Sequence, residues 1–130
     1  RLGTELQRQS FTALIQIAIQ FMTTHKAGTI LLFDFPNTDG AQSKPRPVLI
    51  VLDTGDEDVL IAPITSHGPR TTFDLSIVDW TAAGLRLEST IRINKLHTQK
   101  KSKIRHAIGS LSSADRKSVS VALNLMFGSW

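Results

Sequence analysis

The chain has no cysteine, and aromatic residues make up only 6% of its 130 positions. Disulfides, thiolate nucleophiles and cysteine-based zinc sites are therefore excluded together, a composition compatible with a reducing compartment. The longest uncharged stretch, Gln9 to His25, falls short of the ~18 apolar residues that a membrane span needs and is rich in Gln and Thr. No cleavage site of a signal peptide is obvious behind it. Neither a phosphate-binding loop nor a dinucleotide fingerprint is present, so ATP and NAD chemistry have no motif to rest on. His25, His67, His97 and His106 are scattered without metal-ligand spacing, which leaves no metal site and no cofactor to assign. Internal repeats and low-complexity tracts are missing as well.

What is present fits one domain with a sizeable core: hydrophobic residues account for 41% of the chain. Net charge is +4, which permits an anionic partner. The distribution is sharper than the total. Arg86, Arg92, Lys95, Lys100, Lys101, Lys103 and Arg105 face a single acid, Glu88, between positions 86 and 105, whereas Asp53, Asp56, Glu57 and Asp58 crowd one turn. A basic flank and an acidic tip would draw a nucleic acid to one end and repel it from the other; an ordinary solvated basic face is the plainer alternative.

Along the chain, Phe11, Leu14, Ile15, Ala18, Ile19 and Met22 recur at helical spacing. They predict a helix within residues 1–21 that packs on something. Met22 is a candidate internal start, with what precedes it an extension or a fused segment. Ile30–Phe35 reads as a strand followed by a turn-rich loop, and Val48–Leu52 and Val59–Ala62 read as a hairpin around the acidic turn. Pro45 and Pro47 are expected before or at the very start of their strand, since neither supplies an amide to the ladder. Thr71–Leu75 is a short strand candidate, Leu85–Ile93 a longer interrupted one, Leu96–Thr98 a short strand or bend, and a basic loop follows. Ser112 is placed to cap a closing helix with Asp115 in its first turn and Gly128 at its end. Strands followed by one closing helix predict a mainly β fold, a small curved barrel, because strands and helices do not alternate.

If the hairpin forms, its outer ends bring Lys44-Pro45-Arg46-Pro47 beside Ile64-Thr65-Ser66. Arg46 between two prolines is conformationally restricted, and a preorganised guanidinium loses little entropy on gripping a phosphate through two parallel hydrogen bonds. Thr65 and Ser66 offer hydroxyl donors, although strand-end caps use the same residues. His97, inside the basic stretch, is the acid/base candidate. His67, next to Ser66, is a substrate contact, as are Lys44, Arg86, Lys95 and Lys100. Arg92 and Asn94 alternate with Ile91 and Ile93, which puts both on one side of a strand.

These stretches, taken in order, resemble the PemK/MazF-like toxins. The resemblance lies in Ala27–Phe35, Lys44–Val51, Ile61–Ser66, Ala83–Arg92, Lys95–Thr98 and Ile108–Ser112. It covers roughly residues 27–127, so residues 1–26 stand as an N-terminal helical extension and linker and 27–130 as the toxin-like domain. The resemblance implies an SH3-like, PemK-like curved β-barrel with a C-terminal helix, working as a cytoplasmic homodimer. It further implies a toxin of a type II toxin–antitoxin system: a metal-independent, sequence-selective endoribonuclease that cuts single-stranded RNA without a cofactor. A cognate antitoxin would restrain it, DNA would be met only through the antitoxin complex, and no membrane is involved. The family's arginine maps onto Arg46 and its threonine onto Thr65, with Ser66 adjoining. An Arg-x-Asp pair that supplies acid and base in the plasmid-encoded branch reads here as Arg92 and Asn94, and an amide cannot serve as a base. His97 stands where the family often has arginine and is the replacement for proton transfer. The expected reaction is attack by the substrate's 2′-hydroxyl on the adjacent phosphorus, with Arg46 stabilising charge and Thr65 orienting the scissile group. An inactive β-barrel module that binds RNA or protein is the alternative.

Overall fold

In a computed structural model the chain is described over residues 7–15, 24–36 and 43–130. Residues 7–15 form helix α1. Seven strands follow: β1 (Thr29–Pro36), β2 (Ser43–Leu52), β3 (Asp58–Thr65), β4 (Asp74–Ser76), β5 (Thr90–Arg92), β6 (His97–Lys100) and β7 (Ile104–Ser110), before helix α2 (Ser113–Phe127). They make one antiparallel sheet in the order β4-β5-β3-β2-β1-β7, with β6 also on β3. The fold is the mainly β one expected, but the sheet curves without closing into a barrel, because β4 and β7 end the path unpaired with each other.

The central strands read as continuous apolar runs because both of their faces are covered. On one face Leu31, Phe33, Val48, Ile50, Val59 and Ile61 pack together. On the other, Ile30, Leu49, Ala62 and Ile64 meet Ile91, Ile93 and the α2 residues Val119 and Ala122. Helix α2 begins as its caps predict: the Ser112 hydroxyl accepts the Asp115 amide at 3.3 Å, and the helix ends at Gly128.

Several expectations shift. The interrupted strand at 85–93 shrinks to Thr90–Arg92, and Thr71–Leu75 yields only Asp74–Ser76. Where a basic loop was predicted, Ile104–Ser110 is a strand on β1. Pro45 and Pro47 lie inside β2 rather than at its start, opposite Asp34 and Leu32 of β1. They are tolerated there because pairing with β3 begins only at Val48. Within the single chain the described part of the N-terminal helix is not packed on the groove: Phe11, Leu14 and Ile15 are 66%, 63% and 41% exposed, which leaves packing across a dimer as the other form of that expectation. Ala18, Ile19 and Met22 of the same stripe lie outside the described residues. Among the described residues no helix is long and apolar enough to cross a membrane.

The separation of basic flank from acidic turn is also overturned. Pairing of β6 with β3 sets Lys100 opposite Asp58, and Lys101 is buried with its ammonium 2.8 Å from the Asp53 carboxylate, the two side chains 2% and 0% exposed. Asp53 also accepts the amides of His25 at 2.7 Å and Gly55 at 2.9 Å. Burial pushes its carboxyl up, but the Lys101 hydrogen bond, those two amides and the Lys101 charge outweigh it and hold Asp53 below the usual carboxylate range.

Candidate functional site

The hairpin register carries the functional end of the sheet. Val48 pairs with Pro63 and Leu49 with Ala62; beyond the first of these pairs the two strands run on to Arg46 and Thr65, which line one groove. On the far side of β2, Arg46 pairs with Phe33 of β1, and β1 in turn pairs Leu32 with His106 of β7. The end of β3, the first half of β2, the middle of β1 and β7 at His106 thus border one region.

A second wall comes from the connection after β4. The buried carboxylate of Asp115 accepts the amides of Val78 at 3.0 Å and Asp79 at 2.9 Å, which ties this connection to the start of α2. The chain then reaches Gly84, whose φ of +90° suits glycine. A Cβ at Gly84 would meet the Ile108 carbonyl, and one at Gly109 would meet the Ala83 carbonyl. These two glycines let the connection lie backbone on backbone against β7. Beyond them Ser89 returns to the fold, its carbonyl accepting the Ile77 amide at 2.9 Å and its hydroxyl bonded to the Leu87 carbonyl at 2.7 Å.

Between the two walls lies a groove of about 850 Å³. Lys44, Arg46, Thr65, Ser66, His67 and Arg86 line it, all from the sequence-predicted set, and so does His106, which that set omits. Its apolar floor includes Leu32, Pro47, Ile64 and Leu85. No carboxylate is among the described residues lining it. Nor do three or more His, Asp or Glu gather anywhere among the described residues in a way that could hold a metal ion.

Thr65 and His67 form a local unit. The His67 amide donates to the Thr65 hydroxyl oxygen at 3.2 Å, and the same oxygen lies 3.3 Å from His67 Nδ1. This turn holds the hydroxyl at the end of β3, on the groove lining that Thr65 shares with Arg46.

The remaining predicted residues sit elsewhere. His97, on β6, pairs with Ile61 of β3, donates from Nδ1 to the Lys95 carbonyl at 3.0 Å, and tilts against the Phe35 ring at 6.3 Å between centroids. Arg92 faces Asp74 at 3.8 Å. The amides of Arg70 and Thr71 donate to that carboxylate and, against its burial, hold it below the usual carboxylate range, with Arg92 adding a smaller contribution. Asn94 and Lys95 are exposed on a 3-10 turn, and Lys100 is exposed opposite Asp58. None of these five residues lines the groove. Of the basic run from Arg86 to Arg105, Arg86 alone does so; Lys101 is buried, Lys103 donates to Gln99 at 2.8 Å and Arg105 pairs with Asp34 at 2.6 Å. The sequence carries no simple period for His106: Ile104 packs in one core cluster and Ile108 in the other, because the β1–β7 register is interrupted twice, and by charge the stretch reads as a loop.

Comparison with known proteins places this architecture. No curated protein matches the chain in sequence. Among solved structures, the Mycobacterium tuberculosis toxin MazF-mt6 superposes with a TM-score of 0.62 at 23% identity, covering 77% of this chain and 96% of its own. A mycobacterial endoribonuclease solved with its cognate antitoxin gives 0.65 at 16% identity over 80% and 95%. A MazE–MazF complex from Deinococcus radiodurans gives 0.62 at 15% identity over 82% and 97%. The family model of the PemK-like, MazF-like toxins of type II toxin–antitoxin systems matches residues 26–127. With most of its length inside that match, and with the fold those structures share, this chain belongs to the PemK-like, MazF-like toxin family.

Proposed function

We propose that the protein is a metal-independent endoribonuclease that cleaves single-stranded RNA in the groove between the strand ends and the 84–89 connection. The observation that carries this reading is the composition of the groove: Arg46, Lys44 and Arg86 with the Thr65 and Ser66 hydroxyls, and no carboxylate among the described lining residues. Such a surface attracts a phosphodiester and offers donors to its oxygens. It offers no carboxylate set for a divalent cation, so the nucleophile is assigned to the substrate. The 2′-hydroxyl attacks the adjacent phosphorus, the bond to the 5′-oxygen breaks, and a 2′,3′-cyclic phosphate and a 5′-hydroxyl remain. Arg46 stabilises the charge that grows on the non-bridging oxygens, and Thr65 donates to one of them.

The apolar floor beneath the cations suits unstacked bases, and selection among RNA sequences belongs to it. Some structures that share this fold are complexes with an antitoxin, which supports a cognate antitoxin as the natural inhibitor; a homodimer as the working unit is part of the same proposal. The test is incubation with mixed-sequence RNA in EDTA, followed by analysis of the new ends. Cyclic phosphate and 5′-hydroxyl ends are expected, with no cleavage at a 2′-deoxy scissile nucleotide. Strict dependence on Mg²⁺, or cleavage of an all-deoxy strand, would overturn the mechanism.

A further inference from the structure

Thr65 holds a hydroxyl whose hydrogen bonding is nearly decided by its neighbour. A hydroxyl oxygen accepts at two lone pairs and donates one proton. One lone pair takes the His67 amide at 3.2 Å, and Nδ1 of the same histidine lies 3.3 Å away. If Nδ1 carries the imidazole proton, both acceptor positions are filled from His67 and the Thr65 proton is left to point outward. In that tautomer the Nε2 atom bears a lone pair. In the other tautomer the Thr65 proton is spent on Nδ1, and the hydroxyl has nothing to donate to a phosphate. A phosphodiester in the groove, which needs a donor from Thr65, therefore selects the Nδ1–H form and presents Nε2 as a base.

The groove holds a second imidazole, His106. It sits beside Leu32 of β1, which pairs with Pro47 of β2, one residue beyond Arg46. Three strand spacings separate β7 from β3, ~14 Å between Cα positions in a flat sheet and less where the sheet curves. His67 follows the end of β3 and His106 lies in β7, and both line the one groove, so a phosphodiester seated there has an imidazole on either side. The charged groups lining the same groove are Lys44, Arg46 and Arg86, whose assigned work is to hold the phosphate, and imidazole is the side chain suited to proton transfer near neutral pH.

We infer that His67 and His106 are the general base and general acid of the 2′-hydroxyl reaction, with His67 at the same time fixing Thr65 as a donor. The assignment rests on the endoribonuclease reading given above. His67 Nε2 removes the 2′-hydroxyl proton as the 2′-oxygen bonds to phosphorus. The bond from phosphorus to the 5′-oxygen breaks, and that oxygen takes a proton from the His106 imidazolium. His67 ends protonated and His106 neutral, and exchange with water restores both. His97 is poorly placed for either role, since its Nδ1 is engaged by the Lys95 carbonyl and its ring lies on Phe35, away from the groove lining.

The test is single-turnover cleavage of a one-site RNA between pH 5 and 9 by the parent protein, His67→Ala, His67→Gln and His106→Ala. Each variant is assayed on the natural substrate and on one whose leaving 5′-oxygen is replaced by sulfur, which departs without a proton. Both histidines are exposed, so far-UV circular dichroism is expected to be unchanged. The parent gives a bell-shaped profile. Both His67 variants lose ~10²-fold or more on either substrate, and the acidic limb disappears. His106→Ala loses ~10²-fold on the natural substrate with its basic limb, and recovers to near the parent rate on the sulfur substrate. Folded variants that keep both limbs and stay within threefold of a parent producing cyclic phosphate ends would overturn the histidine pair while leaving the endoribonuclease reading intact. An equal His106→Ala defect on both substrates would overturn the acid assignment. A parent protein that does not cleave RNA, or leaves other ends, would remove the reaction on which the pair depends.

Discussion

Arg46 is the residue on which the proposed chemistry leans most. It is exposed, opposite Phe33, and in a segment of β2 stiffened by a proline on each side. Its removal should therefore spare the fold and act on the transition state. Arg46→Ala is expected to lower kcat by ~10²–10³, the scale of a lost transition-state donor, with an unchanged melting temperature. Arg46→Lys should recover little of this, because a point charge cannot reproduce a planar fork. Steady-state kinetics beside a thermal melt check both; a parental kcat in folded Arg46→Ala would remove the assignment. Thr65→Val should likewise slow cleavage, since it deletes the donor while keeping the branched side chain that suits a strand end. Both residues are legible in the amino-acid sequence, because proline restriction and a hairpin pattern suffice to bring them together. His67, next to Ser66, is legible for the same reason, but His106 is not. His97 and His106 share a composition and a basic neighbourhood, and only the pairing of β6 with β3 and of β7 with β1 decides which one reaches the groove.

At the scale of elements, the hairpin of β2 and β3 and helix α2 follow from local signals: continuous apolar runs around a polar turn, and a cap with an acid in the first turn. Strands β4 and β5 have three residues each, too short to show a period, and their existence depends on partners far away in sequence. The contact of the 84–89 wall with β7 is of the same kind. Gly109→Ala would force a methyl into the Ala83 carbonyl. It is expected to destabilise by about 1–3 kcal/mol, the usual cost of overpacking, and to reduce cleavage further by displacing Arg86. Denaturant melts and kinetics on that variant check both effects; parental values in each would show that the wall has room to move.

Lys101 illustrates another kind of miss, a charge read as part of a nucleic-acid-binding or solvated flank that proves structural. Lys101→Met leaves the buried Asp53 carboxylate without its cation and should cost about 3–5 kcal/mol. Adding Asp53→Leu should restore only part of this, because the amides of His25 and Gly55 would then lose their acceptor. Urea unfolding of the single and double variants measures the difference.

For the whole molecule, with a net charge of +4, the cations that line the groove are Lys44, Arg46 and Arg86, while Arg92, Lys101 and Arg105 face carboxylates elsewhere. RNA affinity should then fall with salt at a slope set by Lys44, Arg46 and Arg86, about −2 for three phosphate contacts on a single strand. Replacing Lys100 and Lys103 by glutamine should change that slope little, and filter binding over a range of salt concentrations tests it. Stability should depend on pH with a definite sign. Asp53 and Asp74 both titrate below the ordinary aspartate value of 3.8 in the folded protein. Their contribution is complete above that value and is lost as pH falls through the lower folded values. Melting temperature should therefore hold above about pH 5 and drop below about pH 4, and Asp53→Asn should blunt the drop.

The Asp53 carboxylate also joins three segments distant in sequence: the stretch at His25, the turn at Gly55 and the 3-10 turn at Lys101, whose own amide donates to the Glu57 carbonyl at 2.8 Å. None of these can open alone without stranding a buried partner. In deuterium-exchange experiments their amides should therefore exchange together, at one rate and with one free energy, as a single cooperative unit, even though the turn at Gly55 looks, by its position at a hairpin tip, like the first part of the sheet to fray.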